Sequence, residues 1–366
     1  MKKDNSGLRQ LVNHLSQRLQ EEHVQHGVGG SERPEAPDRS ASQRSAPSAR
    51  NSSVPTRGAW QWQDWEIHPI CGGMNGRVFR ASGLEGDVAV KFTVRDSRDR
   101  AGREWAALTL LAENSDTLAP RPLLLDRDRY PHQVIVQSWL DGDSSDSPPA
   151  DVAAWESLCR HLLEIHSLPK GPGRPGIRPV VLYVTSASDA LRAISYQHSC
   201  LPPTGWPRPV NDLVDQALSI PWPRWPRPPL HLCRGDPNIR NFIRRPLSWA
   251  SVDWEYSGWG DPAFEIADFL VHAAHIEWPH RQARQLVDLY RARSNDTAIR
   301  ERIAVYETLM LIWWTLRLGR LLPEARSGAD KRLAARPQSW YEERLVLQQR
   351  YLQLAAAALA NMKTVL

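Results

Sequence analysis

Residues 231–243 read His-Leu-Cys-Arg-Gly-Asp-Pro-Asn-Ile-Arg-Asn-Phe-Ile, and Val-Asp-Trp-Glu follows at 252–255. Three acceptor side chains are set out along this stretch: Asp236, Asn241 and Asp253. A short apolar run at 230–232 leads Asp236 into a loop that Pro237 keeps from becoming a helix. Phe242 and Ile243 predict a strand, 246–249 a turn, and 250–254 a returning strand that carries Asp253. Such a hairpin brings the three acceptors to one end.

Phosphoryl transfer from a nucleotide asks for this set. Mg2+ takes hard oxygen ligands, one or two of them from protein, and Asn241 and Asp253 suit that part. A separate carboxylate must orient the attacking hydroxyl and take its proton, and kinases place that Asp five residues before an Asn. Asp236 suits that part. The spacing alone is weak, because it arises by chance in many long chains.

The segment upstream strengthens it. Residues 65–71 and 78–81 read as strands on either side of a turn containing Gly72, Gly73 and Gly76. Glycines let backbone N–H groups come close to phosphate oxygens. Residues 87–94 form an alternating apolar strand with Lys91 in its middle, and a half-buried lysine is costly without a partner. Residues 99–113 predict a helix that offers Glu104. A strand lysine paired with a glutamate of the next helix is how kinases hold nucleotide phosphates. Two more strands follow, at 121–125 and 133–140. Gln137 to Trp139 then reads as a hinge that meets the adenine edge through main chain, and the polar, proline-bearing stretch 141–150 as a linker.

Beyond the linker the chain predicts helices at 152–166, 182–199, 211–220, 262–274, 281–293, 298–321 and 339–361. His161 and His166, five apart, are poorly spaced to share a metal on one face and read as structural. Trp313 and Trp314 read as packing.

At the other end, Leu8, Leu11, Val12, Leu15 and Leu19 form one apolar stripe on a helix. It can dock on the body or pair with a second copy, making a homo-oligomer. Residues 27–58, rich in Ser, Pro, Arg and Gly, read as disordered.

Composition closes off other classes. The chain has 366 residues, 41% hydrophobic, enough for about two domains. No run nears the ~20 apolar residues of a membrane span, and no apolar stretch near Met1 resembles a secretory signal. A cytoplasmic location is the expectation. Four separated cysteines argue against zinc and against a disulfide framework. The net charge of +5 gives no nucleic-acid signal, because residues 1–58 hold nine basic and six acidic residues, +3 of that excess, and no basic stripe interleaved with aromatics occurs elsewhere.

Gly72 to Phe79, Val90-Lys91, Glu104, the Leu-Glu-Ile-His-Ser-Leu-Pro run at 163–169, Arg234 to Asn241, Val252 to Glu255 and Gly260 to Asp268 together resemble the aminoglycoside phosphotransferase and choline kinase superfamily. The resemblance runs from about Trp60 to the C-terminus. It implies an α+β, two-lobed protein-kinase-like fold: an N-terminal extension at 1–58, a small antiparallel β-sheet lobe with one helix at 59–140, the linker at 141–150, and a larger helical lobe at 151–366. It also implies ATP with Mg2+ and transfer of the γ-phosphate to a hydroxyl of a small molecule, an aminoglycoside-like antibiotic or an amino alcohol. By position, Asp236 is the catalytic base, Asn241 and Asp253 hold Mg2+, Lys91 and Glu104 place the phosphates, and Asp261 and Asp268 brace the loop. The family carries His-Gly-Asp where this chain has Arg234-Gly235-Asp236, which makes a catalytically impaired scaffold the alternative. Only seven positions separate Asp253 from Gly260, too few for the peptide-presenting segment of protein kinases. Glu255, Asp261, Glu265 and the tryptophans at 254, 259 and 278 are candidates for recognising a cationic acceptor.

Overall fold

A computed structural model describes residues 5–27, 58–70, 76–169, 176–327 and 337–365. The stretch expected to be disordered falls mostly on 28–57, and Gly72 and Gly73 on 71–75; all of these lie outside the described residues.

Six strands form one antiparallel sheet: β1 (Trp60–Trp62), β2 (Trp65–Ile70), β3 (Gly76–Gly83), β4 (Gly86–Thr93), β5 (Pro122–Asp126) and β6 (Gln133–Ser138), in the order β1-β2-β3-β4-β6-β5. β4 lies between β3 and β6 and is buried on both faces. Successive side chains of a strand point to opposite faces. Val88, Val90 and Phe92 therefore share one side with Val134 and Val136 of β6, and Lys91 takes the other.

Helix α1 (Ser6–Gly27) packs on the first side. Leu11, Val12, Leu15 and Leu19 form one cluster with Ile67, Phe79, Val88, Val90 and Val136. The apolar stripe is thus docked within the chain, and this face is not free to pair with a second copy. Around its rim His14 stacks on Trp62, and Arg18 lies over Trp60.

Helix α2 (Arg100–Asn114) covers the second side. Its Ala107, Leu108 and Leu111 pack with Ile135 of β6, Ile165, Leu232 and Trp254, so this cluster crosses from the sheet to the helical part of the chain.

The rest is mainly helical: α3 (Val152–His166), α4 (Ala187–Ser199), α5 (Arg208–Ser219), α6 (Pro262–Val271), α7 (His280–Arg293), α8 (Ile299–Arg326) and α9 (Gln338–Val365). The predicted helix at 182–199 begins only at 187, where Ser186 caps it by accepting from the Asp189 N–H. Two short antiparallel ladders hold the loops. β7 (His231–Cys233) pairs with β10 (Gly258–Gly260), and β8 (Phe242–Arg244) with β9 (Trp249–Ser251). The linker is tied to this second ladder, because Asp143 and Arg244 exchange main-chain hydrogen bonds of 2.9 and 2.8 Å.

Leu15 is fully buried between α1 and the sheet. Leu15→Ala is expected to cost about 3 kcal/mol, measured as a lowered denaturation midpoint. An unchanged midpoint would mean that α1 does not stabilise the sheet.

Candidate active site

β7 delivers Asp236 as expected, and the turn needs its glycine. Gly235 has φ +72°, and a Cβ there would lie 2.5 Å from Val180 Cγ2 and 2.7 Å from the Tyr256 carbonyl oxygen. Asp253 departs from the expected strand. β9 stops at Ser251, and Asp253 stands in the loop beyond it at φ +64°, a left-handed conformation that Asp tolerates better than most side chains. The Val252 N–H donates to the Asn241 carbonyl at 2.9 Å, tying this loop to Asn241.

The candidates converge. Lys91 Nζ lies 2.8 Å from Glu104 Oε2 and also contacts Asp253 Oδ1. Burial alone would depress the ammonium, but Asp253, Glu104 and Glu255 outweigh it and hold Lys91 above its ordinary range. Asn241 Nδ2 is 3.5 Å from Asp236 Oδ2. The carboxylate of Asp253 and the amide oxygen of Asn241 make a donor set that fits Mg2+.

Other predicted nucleotide contacts fare differently. Gly76 opens β3 opposite Thr93, and a Cβ there would lie 2.1 Å from the Phe92 carbonyl oxygen, so close strand packing accounts for this glycine. Gln137 is buried within β6, in register with Ala89, and the Trp139 N–H donates to the Asp87 carbonyl at 3.0 Å. Base recognition by the Trp139 amide would have to displace that bond.

Arg234 resolves its own departure. It is fully buried between the rings of Phe242 and Trp254, each 4.7 Å from the guanidinium carbon. Nη2 donates to the Val252 carbonyl at 2.7 Å, and its main-chain N–H to Glu265 Oε1 at 2.9 Å. It anchors the loop and leaves Asp236 in place.

The acidic residues offered for acceptor recognition are committed elsewhere. Glu255 pairs with the buried Arg100, Asp261 with Arg302 through two 3.0 Å bonds and with Tyr306, and Glu265 with His166. Asp261 also caps α6, bracing the loop as expected, and Asp268 accepts from Trp314 Nε1 at 3.1 Å. Trp254 is wholly buried and Trp259, in β10, packs partly buried against the α2 cluster, leaving Trp278 at a groove. His166, Cys233 and Glu265 gather metal-type donors among the described residues, but His166 spends both nitrogens, on Tyr290 at 2.7 Å and on Glu265 at 3.0 Å.

Sequence reasoning missed Arg100 and His272. Arg100 carried no periodic signal. His272 was assigned to a helix through 274, whereas α6 ends at Val271, where the Tyr351 hydroxyl and the His275 imidazole take the Val271 and Phe269 carbonyls. Freed from the helix, His272 lies 3.1 Å from Asp236 Oδ1.

The family model for the phosphotransferase enzyme family matches residues 66–306, well over half of the chain. The chain belongs to that family. Thiamine kinase of Salmonella typhimurium is 29% identical over 196 residues, 44% of this chain and 65% of the relative, so the chain spans under two thirds of that relative's length. Among solved structures, a choline/ethanolamine kinase family protein from Mesorhizobium loti superposes with a TM-score of 0.54 at 19% identity, covering 80% of this chain and 91% of the other. The GDP complex of aminoglycoside 2'-phosphotransferase-IIIa does so with 0.56 at 16%, covering 82% and 95%. These likenesses show the two-lobed α+β kinase-like fold. Among the described residues no helix is long and apolar enough to cross a membrane.

Arg302→Met strands the buried Asp261 carboxylate and is expected to destabilise the chain by about 3 to 5 kcal/mol, read by chemical denaturation. A loss below about 1 kcal/mol, the worth of an exposed pair, would contradict this bracing role.

Proposed function

We propose that this chain is an ATP- and Mg2+-dependent phosphotransferase that moves the γ-phosphate to a hydroxyl of a small, cationic alcohol. The observation that carries the reading is the meeting of Lys91, from the sheet, with Glu104 and with Asp253, whose loop is tied to Asn241 beside Asp236. When bound, ATP supplies the phosphoryl group and Mg2+ neutralises its charge.

The chain's own residues do the rest. Lys91, held by Glu104, binds phosphate oxygens, and Asn241 and Asp253 hold the cation. Asp236 orients the acceptor hydroxyl and takes its proton while the hydroxyl oxygen bonds to the γ-phosphorus and the bond to the leaving diphosphate breaks.

Support for a cationic acceptor comes from an open groove of about 750 Å³ lined by Ala273 and Ala274, the residues after His272, with Trp278 in its wall and Glu342 and Glu343 in its lining; the other two carboxylates there are paired, Asp146 with Arg240 and Glu277 with Arg350. The names of the similar proteins agree: thiamine, choline, ethanolamine and kanamycin are cations bearing hydroxyls. The short stretch between Asp253 and Gly260 leaves no platform for a peptide.

Purified protein with Mg2+ and ATP or GTP, screened against thiamine, choline, ethanolamine and aminoglycosides, should release nucleoside diphosphate only with an acceptor present. Asp236→Asn should lower that turnover about 10³-fold while nucleotide affinity is kept. Turnover that survives Asp236→Asn, or none with any acceptor, would refute the reading, the second outcome favouring a nucleotide-binding scaffold.

A further inference from the structure

The segment after α6 carries a contact that the proposed reaction does not yet use. His272 is only 7% exposed. Its Nδ1 accepts the Ala274 N–H at 3.2 Å. A ring nitrogen that accepts carries no hydrogen, so in the neutral ring the proton sits on Nε2, and Nε2 donates to Asp236 Oδ1 at 3.1 Å. The backbone thus selects the tautomer that can hold the carboxylate. The ring itself is fixed by stacking on His275 and by an edge contact with Trp314, centroids 5.4 and 5.1 Å apart.

We propose that His272 is a positioning residue, holding the Asp236 carboxylate through Oδ1 so that Oδ2, which Asn241 Nδ2 approaches at 3.5 Å, is the oxygen that receives the acceptor's proton. This deepens the phosphotransferase reading and rests on it for the identity of the base. The contact itself is independent of that reading.

The charged and titratable groups around His272 are Asp236 from the loop after β7, with Arg234 behind it, Asp268 from α6 and His275 from its own loop. Tyr351 of α9 reaches the neighbouring Val271 carbonyl. Burial depresses the His272 imidazole, and Asp236 and Asp268 more than offset it. A second proton would nevertheless have to sit on Nδ1, against the Ala274 N–H. Burial likewise works to raise the Asp236 carboxyl, and the His272 N–H, Arg234 and the Asn238 N–H outweigh it, so Asp236 is held below the ordinary carboxylate range.

The test compares His272→Ala and His272→Gln in the full chain; the glutamine amide restores a donor at the reach of Nε2. With an acceptor found by the screen, His272→Ala should lower kcat about 10- to 100-fold with the KM for nucleotide unchanged. His272→Gln should recover most of that loss. In an Asp236→Asn background His272→Ala should cost nothing further. The imidazole nitrogen NMR signals of His272 need no acceptor: they should show a hydrogen-bonded Nε2–H, and that hydrogen bond should be lost in Asp236→Ala even if the screen finds no substrate. An Nε2–H signal unchanged by Asp236→Ala, no recovery in His272→Gln, or an equal loss in the Asp236→Asn background overturns the proposal. Thermal melts of the variants identify unfolding, and if His272→Ala does not fold, the glutamine variant and the His272 ring signals decide.

Discussion

A buried lysine cannot stand alone, and the architecture answers to that constraint. The alternation of β4 turns Lys91 away from α1 and into the space between sheet and helical lobe, where desolvating an ammonium costs more than a single surface pair returns. Two carboxylates meet it there. Glu104 comes from α2 and Asp253 from the loop beyond β9, so satisfying one charge fixes a helix and a loop from distant parts of the chain against the same strand. The left-handed backbone at Asp253 fits this picture, since a strained residue persists when its surroundings over-determine it.

Around that centre the same device recurs in a second layer. Arg100 of α2 pairs with Glu255, two residues after Asp253, and Arg103 donates to the Pro179 and Ser257 carbonyls, so the helix carrying Glu104 is fastened to the loop carrying Asp253. Arg234 plugs the floor beneath Asp236 between two aromatic rings, and Arg302 holds Asp261 at the start of α6. Arg100, Arg103 and Arg302 each reach partners from different parts of the chain through the fork of one guanidinium. The apolar clusters give the lobes their cohesion, while these pairs set where the polar groups stand.

Much of this was legible because local pattern and tertiary demand coincide. The strand period at 87–94 placed Lys91, the kinase pairing of a strand lysine with a glutamate of the next helix pointed to Glu104, and turn chemistry gave the hairpin from 242, although its returning strand ends at Ser251 and not at 254. The site's outer parts were hidden for physical reasons. Asp253 sits beyond its strand because its position is set by Lys91, which lies 162 residues away. The end of α6 carries no glycine or proline; it is made by side chains from Tyr351 and His275, and only the fold brings Tyr351 there. The apolar stripe of α1 was visible, but whether it met the sheet or a second copy could be decided only by the empty apolar face that β2, β3 and β4 present.

The central claim is that Lys91, Asn241 and Asp253 form one site for a metal-bound nucleotide, and the most direct measurement is a calorimetric titration of the full chain with ATP, with and without Mg2+. Tight binding that requires Mg2+, and that is lost in Asp253→Asn, is the result the account predicts. Binding that is equal with and without Mg2+, or unchanged in Asp253→Asn, would contradict it.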